Sequence, residues 1–264
     1  MPAFRVGELF AGIGGFGLAA ERCGWRVVWA SEIEPYARAV YRKNFPHVTL
    51  HGDITKLTKD QLEPVDVLTG GFPCQDISNA GKRKGIDGER SGLWREYARL
   101  IGELRPRYAI VENVGALAVR GLGRVLGDLA TLGYDAEWHC IPASAVGVPQ
   151  RRERLFIVAH PPRSGSPQVL HQDALDATRH HAGLDATCGN DANPDHQDCR
   201  ARSLPVLGHA NWSTIPDRER SGANDGLPDR LDHKRYKCLG NAIVPQVAEA
   251  IFRAINAVED SGSP

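Results

Sequence analysis

Val65-Asp66-Val67-Leu68-Thr69-Gly70-Gly71-Phe72-Pro73-Cys74-Gln75 is an apolar run that ends in two glycines and a proline-stiffened turn, with a cysteine just beyond. Read as a strand over residues 65–68 and then a loop, it sets Cys74 at a strand's end. Two later segments are partners to it. Glu112-Asn113-Val114 comes just after the apolar run at 108–111, and Gln150-Arg151-Arg152-Glu153-Arg154 directly precedes the run at 155–159. A nucleophile, a carboxyl at the edge of an apolar environment and paired arginines, all at strand ends, are the parts of a reaction site.

Outward from this segment, short strand-like runs alternate with helix-like stretches from Val6 to about His160. The spacing predicts strands at 6–10, 27–31, 65–68, 108–111, 137–141 and 155–159, with helices at 15–23, 35–44, 93–104 and 124–132 between several of them. That alternation specifies an α/β fold, an open and mostly parallel sheet covered by helices. Ligands of such sheets sit beyond the carboxyl ends of the strands, where Gly12, Glu32, Asp53, Cys74 and Glu112 all fall. Residues 161–202 change texture: rich in Pro, Gly, Asp, His and Asn and without apolar periodicity, they read as loop or loosely packed insert. Order is expected again near Trp212, and after a Gly240-Asn241 turn the stretch 242–258 has helical apolar spacing, so it should pack back onto the first domain.

The bulk properties narrow the function classes. A chain of 264 residues can bury one substantial core. No apolar stretch reaches the length of a membrane span and no charged-then-apolar leader is present, so a cytoplasmic protein without membrane association is expected. Its six cysteines contain no Cys-x-x-Cys pair, and reduced thiols are the expectation. The formal net charge is zero, which leaves a polyanion partner open because binding depends on where cations lie. They cluster at Lys82, Arg83, Lys84, Arg90, Arg95 and Arg99 and again at Arg230, Lys234, Arg235 and Lys237, patterns that a solvated surface would also produce. His180, His181, Cys188, His196, Cys199 and His209 match no tight zinc-ligand spacing, so no metal site is expected.

Leu9-Phe10-Ala11-Gly12-Ile13-Gly14-Gly15-Phe16-Gly17 contains Gly-x-Gly-x-x-Gly between strand and helix, where backbone can approach a ligand closely. Alone it suits a dinucleotide or any nucleoside-containing cofactor. Residues further along the chain discriminate between these: Glu32 for ribose hydroxyls, Gly52-Asp53-Ile54 for an adenine amino group, then a nucleophile loop that hydride transfer does not require. A cysteine beyond a strand end, near backbone amides and cations, can have its thiolate favoured. Glu112 closes an apolar run where a carboxylate is costly, so it can be held neutral and donate a hydrogen bond to a ring nitrogen; a helix N-terminal carboxylate, or a structural ion pair with a partner such as Arg152, is the alternative. Arg152 and Arg154 alternate at strand spacing and point to one side, where two guanidinium groups can converge on a carbonyl or phosphate oxygen.

In combination, Phe10-Ala11-Gly12-Ile13-Gly14-Gly15, Gly71-Phe72-Pro73-Cys74-Gln75, Glu112-Asn113-Val114, Gln150-Arg151-Arg152-Glu153-Arg154 and Gly240-Asn241-Ala242 resemble the DNA cytosine-5 methyltransferase family, in particular compact members of phage and prophage type. The resemblance covers residues 8–160 and resumes over about 212–247. It implies a Rossmann-like S-adenosylmethionine-dependent fold, a mostly parallel seven-stranded sheet with an antiparallel strand, built from residues 1–160 and 238–258, with a short target-recognition region at 161–237. It implies a cofactor pocket lined by Phe10, Gly12, Gly14, Gly15, Glu32, Ile33, Asp53, Ile54, Phe72 and Pro73 and closed by Asn241. The implied catalytic set is Cys74, which attacks C6 of a flipped-out cytosine, Glu112, which hydrogen bonds N3 and the exocyclic amine, Arg154, which holds O2, and Arg152, which orders Glu112 and the loop. Gln75, Ser78, Lys82 and Arg83 on the stretch after the nucleophile, with Arg202, Arg220 and Arg230, are the implied DNA contacts. Double-stranded DNA is the implied partner, a restriction endonuclease a further one, and a monomer the implied state. The target-recognition region is short and its first half acidic, without the usual arginine-bearing motif, which leaves the recognised bases open. The same motifs occur in a tRNA-modifying branch of the family, which is the near alternative; a catalytically silent DNA-binding homologue is a further one, against which the intact Cys74, Glu112 and arginine set argue, and a nicotinamide enzyme is the distant third reading.

Overall fold

In the computed structural model of the chain, residues 3–73, 92–162 and 229–261 are described. Among them, seven strands form one sheet: β1 (Arg5–Leu9), β2 (Arg26–Ser31), β3 (Thr49–His51), β4 (Val67–Gly71), β5 (Tyr108–Val114), β6 (Asp135–Pro142) and β7 (Glu153–His160), in the spatial order β3-β2-β1-β4-β5-β7-β6. The first five run parallel, and β7 is antiparallel to both its neighbours. This geometry creates the site. The carboxyl ends of β1 to β5 share one edge of the sheet, and the reversal of β7 brings its amino end, with Arg152 and Arg154, to that same edge.

The helices of the described residues are α1 (Gly15–Arg22), α2 (Pro35–Asn44), α3 (Gly92–Leu104), the short α4 (Leu117–Arg120), α5 (Leu122–Thr131), α6 (Asp229–Asn241) and α7 (Pro245–Ser261). Local chemistry explains several of them. Glu34 accepts a bond from the Ala37 N–H and Pro35 occupies the first turn of α2, a position where a missing N–H costs nothing. On α3 the buried residues Trp94, Tyr97, Leu100 and Ile101 recur at helical spacing, so one stripe faces the sheet.

The sheet is covered on both faces. One apolar cluster joins Leu68, Tyr97, Leu100, Val111, Val125 and Leu129, and the other joins Val6, Phe16, Ala19, Trp25, Val247 and Phe252. Helix α7 docks on α1 in the second cluster: Trp25 and Phe252 stack with ring centroids 4.4 Å apart, and the Trp25 indole donates to Asn256 Oδ1 at 2.9 Å. A stacked aromatic pair adds about 0.5–1.5 kcal/mol to the burial itself. The C-terminal helix is thereby part of the sheet domain's core.

Several elements differ from the sequence expectation. β3 is only three residues long and pairs with β2 alone, too brief to carry an alternating pattern. β5 continues to Val114, so Glu112 and Asn113 are strand residues and not loop residues beyond the strand. Gly240 and Asn241 lie in the last turn of α6 and not in a free turn; the break comes at 242–244, because Pro245 has no N–H to donate and disfavours helical backbone in the residue before it. The division at 161–237 falls largely outside the described residues.

Candidate active site

The glycine loop after β1 is held by backbone. Ala11 N–H donates to the Ser31 carbonyl at 3.0 Å and Gly14 N–H to the Ala11 carbonyl at 2.9 Å. Phe10 adopts φ 52° and Gly12 φ 56°, left-handed conformations that cost a non-glycine residue roughly 1–2 kcal/mol. The loop's glycines serve different ends. A Cβ on Gly12 would meet nothing within 4 Å, so this position opens onto free space. On Gly14 it would run into the Phe45 ring at 2.2 Å, and on Gly15 into the Ile243 carbonyl oxygen at 2.7 Å; those two glycines permit packing against the protein itself.

Glu32, just past β2, turns its carboxylate back onto the loop. Oε2 accepts from Gly12 N–H at 2.7 Å, and Oε1 from the Ile33 and Glu34 N–H groups at 2.9 and 2.8 Å. A carboxylate has about four acceptor positions, so one on Oε2 remains for a ligand hydroxyl. The Ile33 side chain beside it is 66% exposed. Asp53, past β3, caps a single 3-10 turn (Ile54–Lys56) through Thr55, whose N–H and hydroxyl hold the Asp53 carboxyl below its ordinary range. It is therefore an acceptor at neutral pH. Ile54 is buried in the core and the Phe72 ring packs against Trp94 at 5.5 Å, so any ligand contact from Phe72 is through main chain. Pro73 is the last residue of the first described stretch. Asn241 is exposed at the end of α6.

The second half of the site is built around Glu112. Its side chain, 12% exposed, lies near the end of β5 opposite Gly71; a Cβ on Gly71 would lie 2.6 Å from Glu112 Oε2, so only glycine leaves room there. Burial pushes the Glu112 pKa up to about 7, against the opposing pull of Arg154 and Arg152. Arg154 Nε is 3.2 Å from Glu112 Oε1. Arg152 reaches elsewhere: its Nη2 donates to the Gly240 carbonyl at 2.8 Å and the Ala242 carbonyl at 2.6 Å. The direct ion pair belongs to Arg154, and Arg152 fastens the α6–α7 junction to the start of β7.

Asn113, 2% exposed, donates from Nδ2 to the Phe72 carbonyl at 3.1 Å and accepts from the Val114 N–H at 2.9 Å. It thus anchors the chain two residues before Cys74. Sequence reasoning finds Asn113 inside its motif but assigns it no role. Glu8 on β1 is a second residue it misses: 1% exposed, it accepts from the Tyr41 hydroxyl at 3.0 Å, and burial raises its pKa to about 8. A carboxyl inside the apolar run of β1 is the signal that could have found it.

Cys74, Gln75, Ser78, Lys82, Arg83, Arg202 and Arg220 lie outside the described residues, as do the histidines and cysteines weighed for zinc. Arg230 is within α6 but its side chain is also outside them. No helix among the described residues is long and apolar enough to cross a membrane.

A seven-stranded sheet of this order, with its glycine loop and acidic strand ends on one edge, defines the class of S-adenosylmethionine-dependent methyltransferases. The sequence model of the C-5 cytosine-specific DNA methylase family matches residues 4–176. The chain belongs to that family. It is similar to the type II methyltransferase M.DsaV of Dactylococcopsis salina, 39% identical over 57% of this chain and 44% of that protein. It is also similar to M.HhaI of Haemophilus parahaemolyticus, 36% identical over 60% of this chain and 49% of that one. The chain thus spans about half the length of these curated relatives. Among solved structures, a Spodoptera frugiperda DNMT2 variant aligns at TM-score 0.50 and 25% identity, over 62% of this chain and 52% of that one.

The methyl donor of the family is S-adenosylmethionine. The residues present fit it: free space over Gly12, an open acceptor position on Glu32, an exposed apolar surface on Ile33 and an ionised Asp53 follow the carboxyl ends of the adjacent strands β1, β2 and β3.

Proposed function

We propose that this chain methylates C5 of cytosine in double-stranded DNA through a transient bond between Cys74 and C6 of the base. The observation that carries the proposal is the buried Glu112, poised near neutrality against Arg154 3.2 Å away, at the same sheet edge as the Glu32–Gly12 loop. Cytosine C5 is a weak nucleophile inside a stacked duplex, so the base must first swing out of the helix. The Cys74 thiolate then adds to C6, and the C5–C6 π pair shifts toward C5 and the N3 side of the ring. Glu112, protonated, hydrogen bonds N3 as charge builds there and accepts from the exocyclic amine. Arg154, which faces Glu112, is the residue proposed to hold O2.

S-adenosylmethionine, when bound, supplies an electrophilic methyl group. Glu32 and Asp53 hold the ribose and adenine ends, Ile33 covers the adenine face, and Asn241 closes the niche from α6. C5 takes the methyl group in a new carbon–carbon bond as the sulfonium's carbon–sulfur bond to that methyl breaks and leaves S-adenosylhomocysteine; the C5 proton then leaves to water, and the electron pair of that C–H bond restores C5=C6 as the Cys74 thiolate departs. Gln75, Ser78, Lys82 and Arg83, with Arg202, Arg220 and Arg230, are the proposed DNA contacts, and a restriction endonuclease of the same specificity is the proposed biological partner of a monomeric, cytoplasmic enzyme.

Incorporation of labelled methyl into genomic DNA and into bulk tRNA tests the substrate directly. Label in DNA as 5-methylcytosine, lost in Cys74→Ser, is the expected result. Label confined to tRNA would assign the chain to RNA modification instead, and label in neither would mark a silent homologue.

A further inference from the structure

Opposite the glycine loop, the cofactor niche has a wall made of two separate chain segments: Glu32 and Ile33 after β2, and Gly52 and Asp53 after β3. The second of these rests on weak support. β3 has three residues, lies at the sheet edge and pairs with β2 alone, and so short an edge strand frays readily.

Arg38, one turn into α2, reaches under both segments. Its Nη1 donates to the Glu32 carbonyl at 2.5 Å and also to the His51 carbonyl, and its Nη2 to the Leu50 carbonyl at 3.4 Å. The Ser31 hydroxyl adds a second cross-tie by donating to the Gly52 carbonyl at 2.7 Å, and the Glu32 N–H donates to the His51 carbonyl at 3.3 Å. Four carbonyls, that of Glu32 and those of Leu50, His51 and Gly52 at the end of β3, are thus gathered by one guanidinium and one hydroxyl. A planar guanidinium suits this task because its fork of donors fixes direction as well as distance, and charge-assisted bonds are the stronger kind. Partial burial and the Arg38 charge also hold the His51 imidazole below its ordinary pKa.

We propose that Arg38, with Ser31, is a positioning residue for the cofactor: it sets the gap between the Glu32 wall and the Asp53 wall before the ligand arrives. This rests on the reading of the niche as the S-adenosylmethionine site. Preorganised walls lower the cost of binding because less chain is ordered on association. Arg38 touches no ligand on this account and acts through the two segments it joins.

The test is calorimetric titration of the full chain with S-adenosylhomocysteine, paired with amide hydrogen exchange at residues 51–54 in ligand-free protein. Arg38→Met should weaken binding by about tenfold or more and accelerate that exchange, with exchange in α3 and β5 unchanged. Arg38→Lys, which keeps the charge but not the fork, should fall between. Ser31→Ala removes the other tie with little change in volume, so it decides the matter should Arg38→Met fail to fold; a smaller loss in the same direction is expected. If the unaltered chain does not bind the ligand, the reading of the niche falls and this inference with it. If the unaltered chain binds and the variants bind equally well, the inference alone is overturned.

Discussion

Two buried acids dominate at the scale of single residues. Glu112 is held up to about 7 by burial while Arg154 pulls the other way, a setting in which the carboxyl can carry its proton to a ring nitrogen and still accept from an amine. Glu112→Gln keeps the shape and the donor but cannot cycle a proton or balance Arg154. Single-turnover methyl transfer should fall by about 10²–10⁴-fold, with cofactor affinity near that of the unaltered chain, as rapid-quench kinetics would show. Glu8 tests the same physics without chemistry. Its folded pKa of about 8 stands above the ordinary 4.5, so between those values the native state binds more protons than the unfolded chain. Stability from this group is complete below about pH 4.5 and is lost as the pH rises through 8. Denaturant unfolding should therefore show a fall in stability from pH 5 to pH 9 that flattens in Glu8→Gln, whose amide oxygen can still accept from the Tyr41 hydroxyl. An unchanged slope would mean that Glu8 is ionised throughout.

At the scale of elements, strand ends and helix junctions make the site. Gly71 leaves space for the Glu112 carboxyl on the next strand. Gly71→Ala should lower methyl transfer by about 10²-fold through displacement of that carboxyl while the melting temperature stays within a few degrees, a combination that kinetics and calorimetry together can check. Gly15 lets the 242–244 junction approach the start of α1 to within contact of the Ile243 carbonyl, and Arg152 ties the same junction to β7. Gly15→Ala must push backbone against backbone, so a loss of about 1–3 kcal/mol is expected, together with weaker cofactor binding because Asn241 rides on the displaced segment. Thermal unfolding with and without S-adenosylhomocysteine separates the two effects.

At the scale of the whole molecule, the sheet is a frame that puts residues distant in sequence on one edge: Gly12, Glu32 and Asp53 on one side, Glu112, Arg152 and Arg154 on the other. Much of this is legible in the sequence. The apolar runs at 6–10, 27–31, 108–111 and 155–159 fall on the buried strands β1, β2, β5 and β7, with Phe10 alone left past the end of β1, because hydrophobic burial leaves few other places for them, and their ends name the crevice. β3 is not legible, since three residues at an edge carry no period. Nor are Arg38 and Ser31, whose work is done through main-chain carbonyls that leave no mark in composition or spacing. Spacing puts Arg152 and Arg154 on one side without saying which of them pairs with Glu112; the fold gives the direct ion pair to Arg154 and takes Arg152 to the α6–α7 junction, a choice that goes with β7 pairing to β5 at Val114 and Arg154, which no local pattern encodes.

The central claim is a carbon–sulfur bond between Cys74 and a displaced cytosine. A pool of duplexes carrying 5-fluorocytosine, incubated with the chain and S-adenosylmethionine, tests it, because fluorine at C5 blocks the final elimination. Mass spectrometry of the digest should find the methylated base on the peptide that contains Cys74, and none in Cys74→Ser. An adduct that survives Cys74→Ser, or methylation of ordinary DNA by that variant at the native rate, would contradict the account.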